Sequence, residues 1–428
     1  MSGESAGLTT SPGPVVSLLR PVPGTRWPWL AAWFIALIAI GFLAVRDAAG
    51  PMIDLVVYRT GGHAILHGGN LYAIKTAQGL LFTYPPVSAV LAVPLALVPF
   101  SVAKAGWLVM IYGPLLFAVR TAFRPLLERA GQLGPVLFPV ILAIAAWLAP
   151  VRQDTRFGQV DIFLLGICLL DCLAKSPKWP RGLLIGLATA IKLEPGAFII
   201  YLLITRRWRD AGVAVLSFAG WTALAWIIRP HDSMTYWTKA IFDTSRLGDN
   251  ESAGNQALRG IVLRLHTDVA PDLVWLPLVL IVGACGFAAA RACWKQGHDM
   301  AGIAITGLLG ALLSPVAWIH HLCWVLIAIA VVAGDGRSTR RIWAAVATGL
   351  LFLTTLPRWA EVHLTHEPVP QFVLENSFGL WALGLIVALF WIGAVRGRPE
   401  SDDTKPVLLE SEIATPALPL STDASGRC

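Results

Sequence analysis

Long apolar runs separated by short polar segments dominate the pattern of this chain. The first run covers 28–45, and a stretch of about 20 apolar residues is long enough to cross a bilayer as a helix. The later runs lie near 87–119, 135–149, 159–173, 182–205, 211–228, 272–290, 301–333, 342–356 and 377–395. This pattern predicts an all-α polytopic membrane protein with about twelve transmembrane or re-entrant helices.

Two of these runs, 182–205 and 301–333, have basic clusters on both flanks, so each is expected to enter the membrane and return. Pro195 and Pro315 lie near the points where the reversals would occur, and proline breaks a helix. Each arm of 182–205 has about 12 residues, or about 18 Å of helix. The hydrocarbon core is about 30 Å thick. We therefore expect the 182–205 pair to be re-entrant or strongly tilted.

The composition excludes a water-soluble protein. Of the 428 residues, 56% are hydrophobic and 14% are charged, whereas an ordinary globular domain is about 45–50% apolar and about 25% charged. The net charge of +7 does not indicate nucleic-acid binding, because Lys and Arg stand in short clusters between the apolar runs. Such clusters are typical of the signals that orient membrane helices.

The Lys and Arg residues also predict the orientation. With both termini in the cytoplasm, cytoplasmic segments carry about twice as many of them as the outer segments, which agrees with the positive-inside rule. Residues 1–27 are then a cytoplasmic segment, and 28–395 a transmembrane domain whose first run is retained and not cleaved as a signal peptide. Residues 396–428 are expected to be a disordered cytoplasmic tail. The outer loops comprise 46–86, 150–158, 229–271, 314–321 and 357–376.

Neither a disulfide framework nor a metal site is predicted. The six cysteines include no CxxC pair and no Cys/His spacing of the kind that binds metal. The acidic residues of the outer loops show no metal-ligand spacing either. We therefore expect free thiols, no metal and no cofactor.

The predicted outer face collects the polar residues that can carry chemistry. The first outer loop is amphipathic, and such a segment can lie along the membrane interface and leave a cleft above it. The other outer segments bring Asp, His, Gln and Arg to the same face. They read RQDTRFGQVD (152–161), GNQALRG (254–260), SPVAWIHH (314–321) and RWAEVHLTHEP (358–368).

Seven stretches, in order over roughly residues 28–395, carry a family resemblance. They are DLVVY (54–58), the G-x-x-LY stretch ending at Tyr72, FTYPPVSAVLAVPLALVPF (82–100), FGQVD (157–161), GLATAIKLEP (186–195), NQALRG (255–260) and SPVAWIHH (314–321). Together they resemble glycosyltransferase family 87 of the GT-C superfamily, and most closely its mycobacterial polyprenol-phosphate-mannose-dependent α-1,2-mannosyltransferases. The resemblance implies a GT-C fold with an outer-face active-site cleft and a lipid-phosphate sugar donor. It also implies that Asp54 is the catalytic base.

Elementary chemistry agrees with a single acidic residue. A lipid phosphate is a good leaving group, whereas a hydrolase that cuts a sugar–sugar bond needs paired carboxylates to protonate a poor one. One base that takes the proton of the acceptor hydroxyl is enough for in-line attack at the anomeric carbon. A β-linked donor mannose then emerges α-linked, and cationic or hydrogen-bonding groups hold the phosphate as its charge builds.

Nine further residues are predicted to bind substrate, namely Tyr58, Arg59, Tyr84, Gln159, Lys192, Gln256, Arg259, His320 and His321. Simpler alternatives stand beside these roles. Asp54 could cap a helix that begins at Leu55, the two histidines could be interfacial core residues, Arg259 a surface charge, and Tyr84 a residue that shapes the end of its loop. Lys192 lies in an apolar run, where charge is costly and often functional. It could instead pair with Glu194 or snorkel to the interface.

The leading functional hypothesis, which the resemblance implies, is an α-1,2-mannosyltransferase. It would move mannose from polyprenyl-phosphate-mannose to a phosphatidylinositol-mannoside-type lipid or lipoglycan. The site would face the periplasm from the inner membrane of an actinobacterial cell, with membrane lipids but no nucleic acid as partners. An arabinosyltransferase that uses decaprenyl-phosphate-arabinose is the alternative within the family. A lipid or sugar transporter is the alternative of another class, but transporters place polar sites near the midplane between repeats.

Overall fold

The computed structural model of the chain describes residues 24–174 and 177–395, and these residues are helical apart from turns and two isolated β-bridges. The first helices are α1 (Arg26–Ala49), α2 (Ile53–His67), α3 (Pro86–Leu91), α4 (Val93–Leu97), α5 (Phe100–Ala122), α6 (Arg124–Arg129), α7 (Gly134–Trp147), α8 (Ala149–Phe157), α9 (Asp161–Leu173), α10 (Leu183–Ile191) and α11 (Ala197–Ile204). The later helices are α12 (Trp208–Ile228), α13 (Pro230–Thr238), α14 (Leu258–Leu263), α15 (Pro271–Lys295), α16 (Asp299–Leu313), α17 (Val325–Ala333), α18 (Thr339–Leu353), α19 (Leu356–His363), α20 (Pro368–Glu375) and α21 (Ser377–Phe390). The predicted segment 1–27, apart from residues 24–27, and the predicted tail lie outside the described residues.

The helices confirm an all-α membrane protein. In the described part of the chain, α1, α5, α12, α15 and the segment Ser377–Ala394 are long and apolar enough to cross a membrane. Two bent pairs, 131–157 and 339–363, raise the number of candidate spans from 5 to 7. Four shorter apolar helical segments complete the bundle. These segments do not establish the expected number of twelve transmembrane or re-entrant helices.

Both doubly flanked runs are broken where proline predicted a break. The first run divides into α10 and α11 around Lys192, whose backbone is extended, and the short 3-10 turn Glu194–Gly196. The second run divides into α16 and α17 around 314–318 and the 3-10 turn Ile319–Trp324. Since α11 packs against α16, the two breaks lie beside each other.

The run 87–119 is interrupted early and then continues as one long helix. The short helices α3 and α4 precede α5, which begins at Phe100 directly after Pro99. Lys104 in α5 donates hydrogen bonds to the carbonyls of Ala48 (2.9 Å) and Gly50 (2.6 Å). The lysine thus satisfies carbonyl groups at the end of α1, where a cation is favourable.

The predicted first outer loop contains a helix whose first residue differs from the one expected from the sequence. α2 begins at Ile53, and its N-cap is Met52 in a left-handed conformation with φ of 43°. Asp54 therefore lies inside the first helical turn, and the alternative in which it caps a helix beginning at Leu55 is wrong. The chain reverses at buried Met52 immediately after α1, so the helix starts earlier than the sequence pattern indicated.

Candidate active site

A close contact between α2 and the end of α8 positions Asp54. α8 is followed by its C-cap Gly158, which has φ of 70° and lies against the first turn of α2. A Cβ atom at Gly158 would approach the Leu55 Cβ to 2.7 Å, so only glycine fits both this backbone conformation and this approach. The contact brings the turn that carries Asp54 next to Gln159.

The Gln159 side chain joins two tyrosines beside Asp54. The Tyr58 hydroxyl donates to Gln159 Oε1 (3.2 Å), and Gln159 Nε2 donates to the Tyr84 hydroxyl (2.9 Å). The two tyrosine rings stack with their centroids 4.6 Å apart, and Trp107 Nε1 donates to the Gln159 carbonyl (3.1 Å). Because Tyr58 follows Asp54 by four residues, both side chains lie on one face of α2. A buried aromatic wall therefore adjoins the carboxylate.

Lys192 is the centre of a buried charged cluster, which we define as Asp161, Lys192, Glu194, His320 and His321. Lys192 Nζ donates to Asp161 Oδ1 at 2.7 Å and lies 3.4 Å from Glu194 Oε2 and 3.0 Å from His321 Nε2. Asp161 is the first residue of α9, whereas the other members come from the two broken runs. The breaks thus supply charged groups to one point next to Gln159.

His321 lies between Lys192 and Glu194. An ammonium group only donates hydrogen bonds, so His321 Nε2 accepts from Lys192. His321 Nδ1 lies 2.7 Å from Glu194 Oε1, although it forms no hydrogen bond with the described residues. The neighbouring His320 is buried, and both of its ring nitrogens lack a hydrogen-bond partner among the described residues. The hydrogen-bonding capacity of the His320 ring is therefore unused within the described part of the chain.

The Asp54 carboxyl lies within electrostatic reach of this cluster and is partly exposed. Burial of the surrounding turn raises the pKa of the Asp54 carboxyl to about 6, although the Lys192 ammonium and a hydrogen bond from Gln159 act to lower it. A carboxylate with a pKa near neutrality is a stronger base than an ordinary aspartate and still deprotonates at physiological pH. The arrangement can remove a proton from a hydroxyl group bound above it.

One group of potential metal ligands was not evident from sequence spacing. Asp161, His320 and His321 offer ligand atoms that all lie within 4.8 Å of one another. However, the Lys192 ammonium already contacts both Asp161 and His321, so a cation is present at this point in the form of a side chain. Lys192 therefore competes with a metal ion for Asp161 Oδ1 and His321 Nε2.

The interior side of the charged cluster is too small for a sugar. A cavity of about 20 Å³ lies beneath Asp161, Glu194 and His321, with Phe198 and Trp324 on its apolar side. About 10–15 Å³ of such volume holds one water molecule, so this cavity has room for roughly a single water. A sugar therefore does not fit in this cavity.

The structure brings together most of the residues that the sequence nominated. Around Asp54 it gathers six of the nine predicted substrate-binding residues. They are Tyr58, Tyr84, Gln159, Lys192, His320 and His321. Lys192 also pairs with Glu194, as the simpler alternative held, and it contacts Asp161 and His321 at the same time.

Arg59 and Arg259 lie outside this group. Arg59 donates to the carbonyls of Leu95 and Val98 (2.9 Å each) and so satisfies the end of α4. Arg259 forms an ion pair with Asp272 (2.9 Å) on the protein surface. Both guanidinium groups are thus engaged in local contacts of the fold.

The Gln256 side chain also forms hydrogen bonds with backbone groups of the fold. Its amide donates to the carbonyls of Ala253 (2.6 Å) and Glu375 (2.7 Å), and its Oε1 accepts from the Gly379 amide (2.8 Å). Arg264, eight residues later, donates to backbone carbonyls of Glu251, Ser252 and Asn255. The NQALRG stretch is therefore held by buried polar contacts that join it to α21.

Two members of the charged cluster, Asp161 and Glu194, were not nominated from the sequence. Asp161 ends the FGQVD stretch and begins an apolar helix, where an aspartate is also common for helix stability alone. Glu194 lies beside Lys192 and Pro195 in a broken apolar run. A carboxylate at such a break is the signal that could have identified it, since charge in an apolar run is rare without a role.

Comparison with known proteins gives consistent results. The sequence profile of glycosyltransferase family 87 matches residues 82–315. The chain is 29% identical over 407 residues to a polyprenol-phosphate-mannose-dependent α-(1-2)-phosphatidylinositol mannoside mannosyltransferase of Mycobacterium tuberculosis, covering 89% of this chain and 95% of the relative. It is 30% identical to a protein of the same description in Mycolicibacterium smegmatis, covering 80% of this chain and 84% of the relative.

A more distant relative is an arabinosyltransferase, the alternative activity within the family. An α-(1->3)-arabinofuranosyltransferase of Corynebacterium glutamicum is 24% identical, with 80% of this chain and 78% of the relative covered. No solved structure matches the chain.

Proposed function

The chain belongs to glycosyltransferase family 87, and on that premise we propose that it transfers mannose from polyprenyl-phosphate-mannose to a mannosylated phosphatidylinositol glycolipid or lipoglycan. The product linkage is α-1,2, and transfer takes place with inversion on the periplasmic face of the inner membrane. The observation that carries the proposal is the partly exposed Asp54 carboxylate beside the buried charged cluster. The names of the mycobacterial relatives support the donor and the acceptor class.

The site can perform the transfer in one displacement. Asp54 accepts the proton of the acceptor hydroxyl while that oxygen forms a bond to the anomeric carbon of mannose. The bond from this carbon to the phosphate oxygen breaks, and its electron pair leaves with polyprenyl phosphate. The Lys192 ammonium acts electrostatically on the Asp54 carboxyl, and both ring nitrogens of His320 lack a hydrogen-bond partner among the described residues. Both groups are suited to stabilise the phosphate as its charge increases.

The geometry argues against a transporter. Transporters place their polar sites at broken helices near the midplane, and α10–α11 and α16–α17 are broken helices. Here the break residues Lys192 and His321 act electrostatically on Asp54, which belongs to an outer-loop helix. The space below them admits about one water. This space is too small for a transported lipid or sugar, which supports a transferase over a transporter.

The experiment that tests the function uses purified protein in detergent with synthetic polyprenyl-phosphate-mannose and phosphatidylinositol mannosides. We expect one mannose to be added in an α-1,2 linkage, identified by mass spectrometry and α-1,2-specific mannosidase digestion. A parallel reaction with decaprenyl-phosphate-arabinose tests the alternative that the corynebacterial relative favours. Transfer of the pentose but not of mannose would replace the proposal with that alternative.

The pKa of Asp54 predicts the pH dependence of the transfer. A base must be deprotonated to act, so kcat/KM is expected to be constant above about pH 7. It should fall as the pH drops through about 6 and approach a tenfold loss per pH unit below that value. Initial rates at subsaturating acceptor between about pH 5 and 8 measure this. A flat profile across that range would show that the essential base has a different pKa.

The proposed orientation predicts a pattern of cysteine labelling. In a variant with Cys285 and Cys428 replaced by serine, Gln78→Cys should react with an impermeant maleimide in intact spheroplasts. Arg209→Cys should react only after the membrane is permeabilised. Both native side chains are exposed in the structure, so accessibility is set by the membrane and not by burial. The opposite pattern would place Asp54 in the cytoplasm.

The contacts of Lys192 predict that the transfer needs no metal. Because an ammonium group already neutralises Asp161 and contacts His321, we expect full activity after dialysis against excess chelator. The rate before and after treatment is compared, followed by addition of Mg²⁺ or Mn²⁺. Complete loss that either ion restores would instead assign Asp161, His320 and His321 to a metal.

A further inference from the structure

A cleft beside α8 contains an arginine, Arg152, that has no hydrogen-bond or ion-pair partner among the described residues. The cleft has a volume of about 410 Å³ and is lined by Arg152, Leu353, Thr354, Thr355, Leu356 and Trp359. Arg152 is contributed by α8, and the other residues form the bend between α18 and α19. Among the described residues, no side chain or carbonyl forms a hydrogen bond or ion pair with the Arg152 guanidinium. A half-buried guanidinium of this kind is prepared for an anionic ligand.

The charges around the cleft strengthen this interpretation. Arg152 lies within electrostatic reach of Arg46, Arg156 and one carboxylate, Asp47. That carboxylate is already engaged, because its Oδ1 accepts from Arg46 and its Oδ2 accepts from the Thr155 hydroxyl at 2.8 Å. The cleft therefore has an excess of positive charge that the protein itself does not neutralise.

The remaining lining indicates what kind of anion fits. The Trp359 ring is 45% exposed, and a half-exposed indole can lie against a sugar face or at the membrane surface. Leu353 and Leu356 supply apolar surface, whereas Thr354 and Thr355 supply hydroxyl groups. A cation, hydroxyls, an aromatic ring and leucines together match a phosphodiester that joins sugar to acyl chains.

We propose that this cleft, the Arg152 cleft, binds the phosphodiester of the glycolipid acceptor. The proposal rests on the proposed function and names a second subsite for it. The donor phosphate does not fit this role, because it is bonded to the reacting carbon and must lie at Asp54. The acceptor phosphate is separated from the reacting hydroxyl by sugar rings.

The position of the cleft agrees with that separation. Within α8, Phe157 follows Arg152 by five residues, a rise of about 7.5 Å at 1.5 Å per residue. The Phe157 ring contacts His320 in the charged cluster, with centroids 5.9 Å apart. One short helix thus connects the two subsites, and the sugar chain of the acceptor can extend along it from the Arg152 cleft to Asp54.

The test compares two acceptors that carry the same oligomannoside, one on phosphatidylinositol and one on a neutral dialkylglycerol. For Arg152→Gln, we expect the KM for the phosphate-bearing acceptor to rise by about tenfold or more, because a charge-assisted hydrogen bond is lost. The KM values for the neutral acceptor and for the donor, and kcat, should change less than about twofold. Arg152→Lys should restore part of the affinity. Arg358→Gln is the matched control, since Arg358 is exposed near the cleft and paired with Glu361.

A binding measurement separates this proposal from the proposed function. Fluorescent phosphatidylinositol mannoside is titrated into wild-type protein and Arg152→Gln in nanodiscs without donor. Weaker binding by Arg152→Gln than by wild-type protein supports the assignment of the cleft. This holds even if wild-type protein transfers no mannose, because the absence of transfer would reject only the proposed function. Equal losses with both acceptors, a raised donor KM or unchanged binding would each overturn the assignment of the cleft.

Discussion

Replacing Asp54 with asparagine is expected to lower kcat by at least about a hundredfold while the protein remains folded and still binds the donor. Asparagine keeps the shape and hydrogen-bonding capacity of the side chain but cannot accept the proton of the acceptor hydroxyl. General-base catalysis typically contributes about 10²–10⁴-fold. The measurement is single-turnover transfer at saturating donor, with donor affinity from equilibrium binding.

The structure makes this test sharper than the sequence did. Asp54 is not the N-cap of α2, so the substitution does not remove a helix cap. Asp268→Asn is a suitable control, because Asp268 is exposed in another predicted outer loop. Near-normal turnover of Asp54→Asn at normal expression would show that another group is the base. A loss at high pH that equals the loss at neutral pH is expected, because asparagine does not titrate.

The apolar pattern predicted the membrane-spanning elements well, because burial in lipid demands continuous apolar runs of a fixed length. Each run named from the sequence contains at least one helix, and the breaks near Pro195 and Pro315 are present. The number of spans was less predictable. Length and hydropathy do not reveal bends such as the 67° bend at Leu148 or the 51° bend at Thr354–Thr355.

The candidate site was likewise predictable only in part. Asp54, Gln159 and Lys192 were found because they are polar residues in recognisable stretches. The structural contacts of Arg59 and Gln256 could not be predicted from the sequence. Arg59 donates to the Leu95 carbonyl, 36 residues away, and Gln256 donates to the Glu375 carbonyl, 119 residues away. Polar side chains that satisfy buried backbone carbonyls resemble ligand-binding residues until the tertiary contacts are known.

The Asp161–Lys192 contact is the clearest example of a contact that the sequence alone could not predict. The two residues are 31 positions apart, and each lies at the end of a different apolar helix. Only the packing of α9 near the break between α10 and α11 brings them together. The position of Lys192 in an apolar run indicated a role for this residue, but the sequence suggested only Glu194 as its partner.

Lys192→Met should have the second large effect, on folding and on turnover together. Methionine preserves length and apolar volume but leaves Asp161 and Glu194 without their cation. Removing one partner of a buried ion pair destabilises a protein by about 3–5 kcal/mol, because the remaining charge is buried and uncompensated. We expect a marked fall in the thermal unfolding midpoint in detergent and a loss of transfer in the fraction that stays folded.

A double substitution separates the loss of stability from the loss of turnover. In Lys192→Met/Asp161→Asn, the carboxylate that contacts the ammonium most closely is also neutral, so much of the lost stability should return. Activity should stay low, because no buried cation remains to stabilise the phosphate as its charge develops. If stability and activity recovered together, Lys192 would act only as a structural counter-ion. If the single variant unfolded no more easily than wild-type protein, the buried ion pair would not exist in the membrane-embedded enzyme.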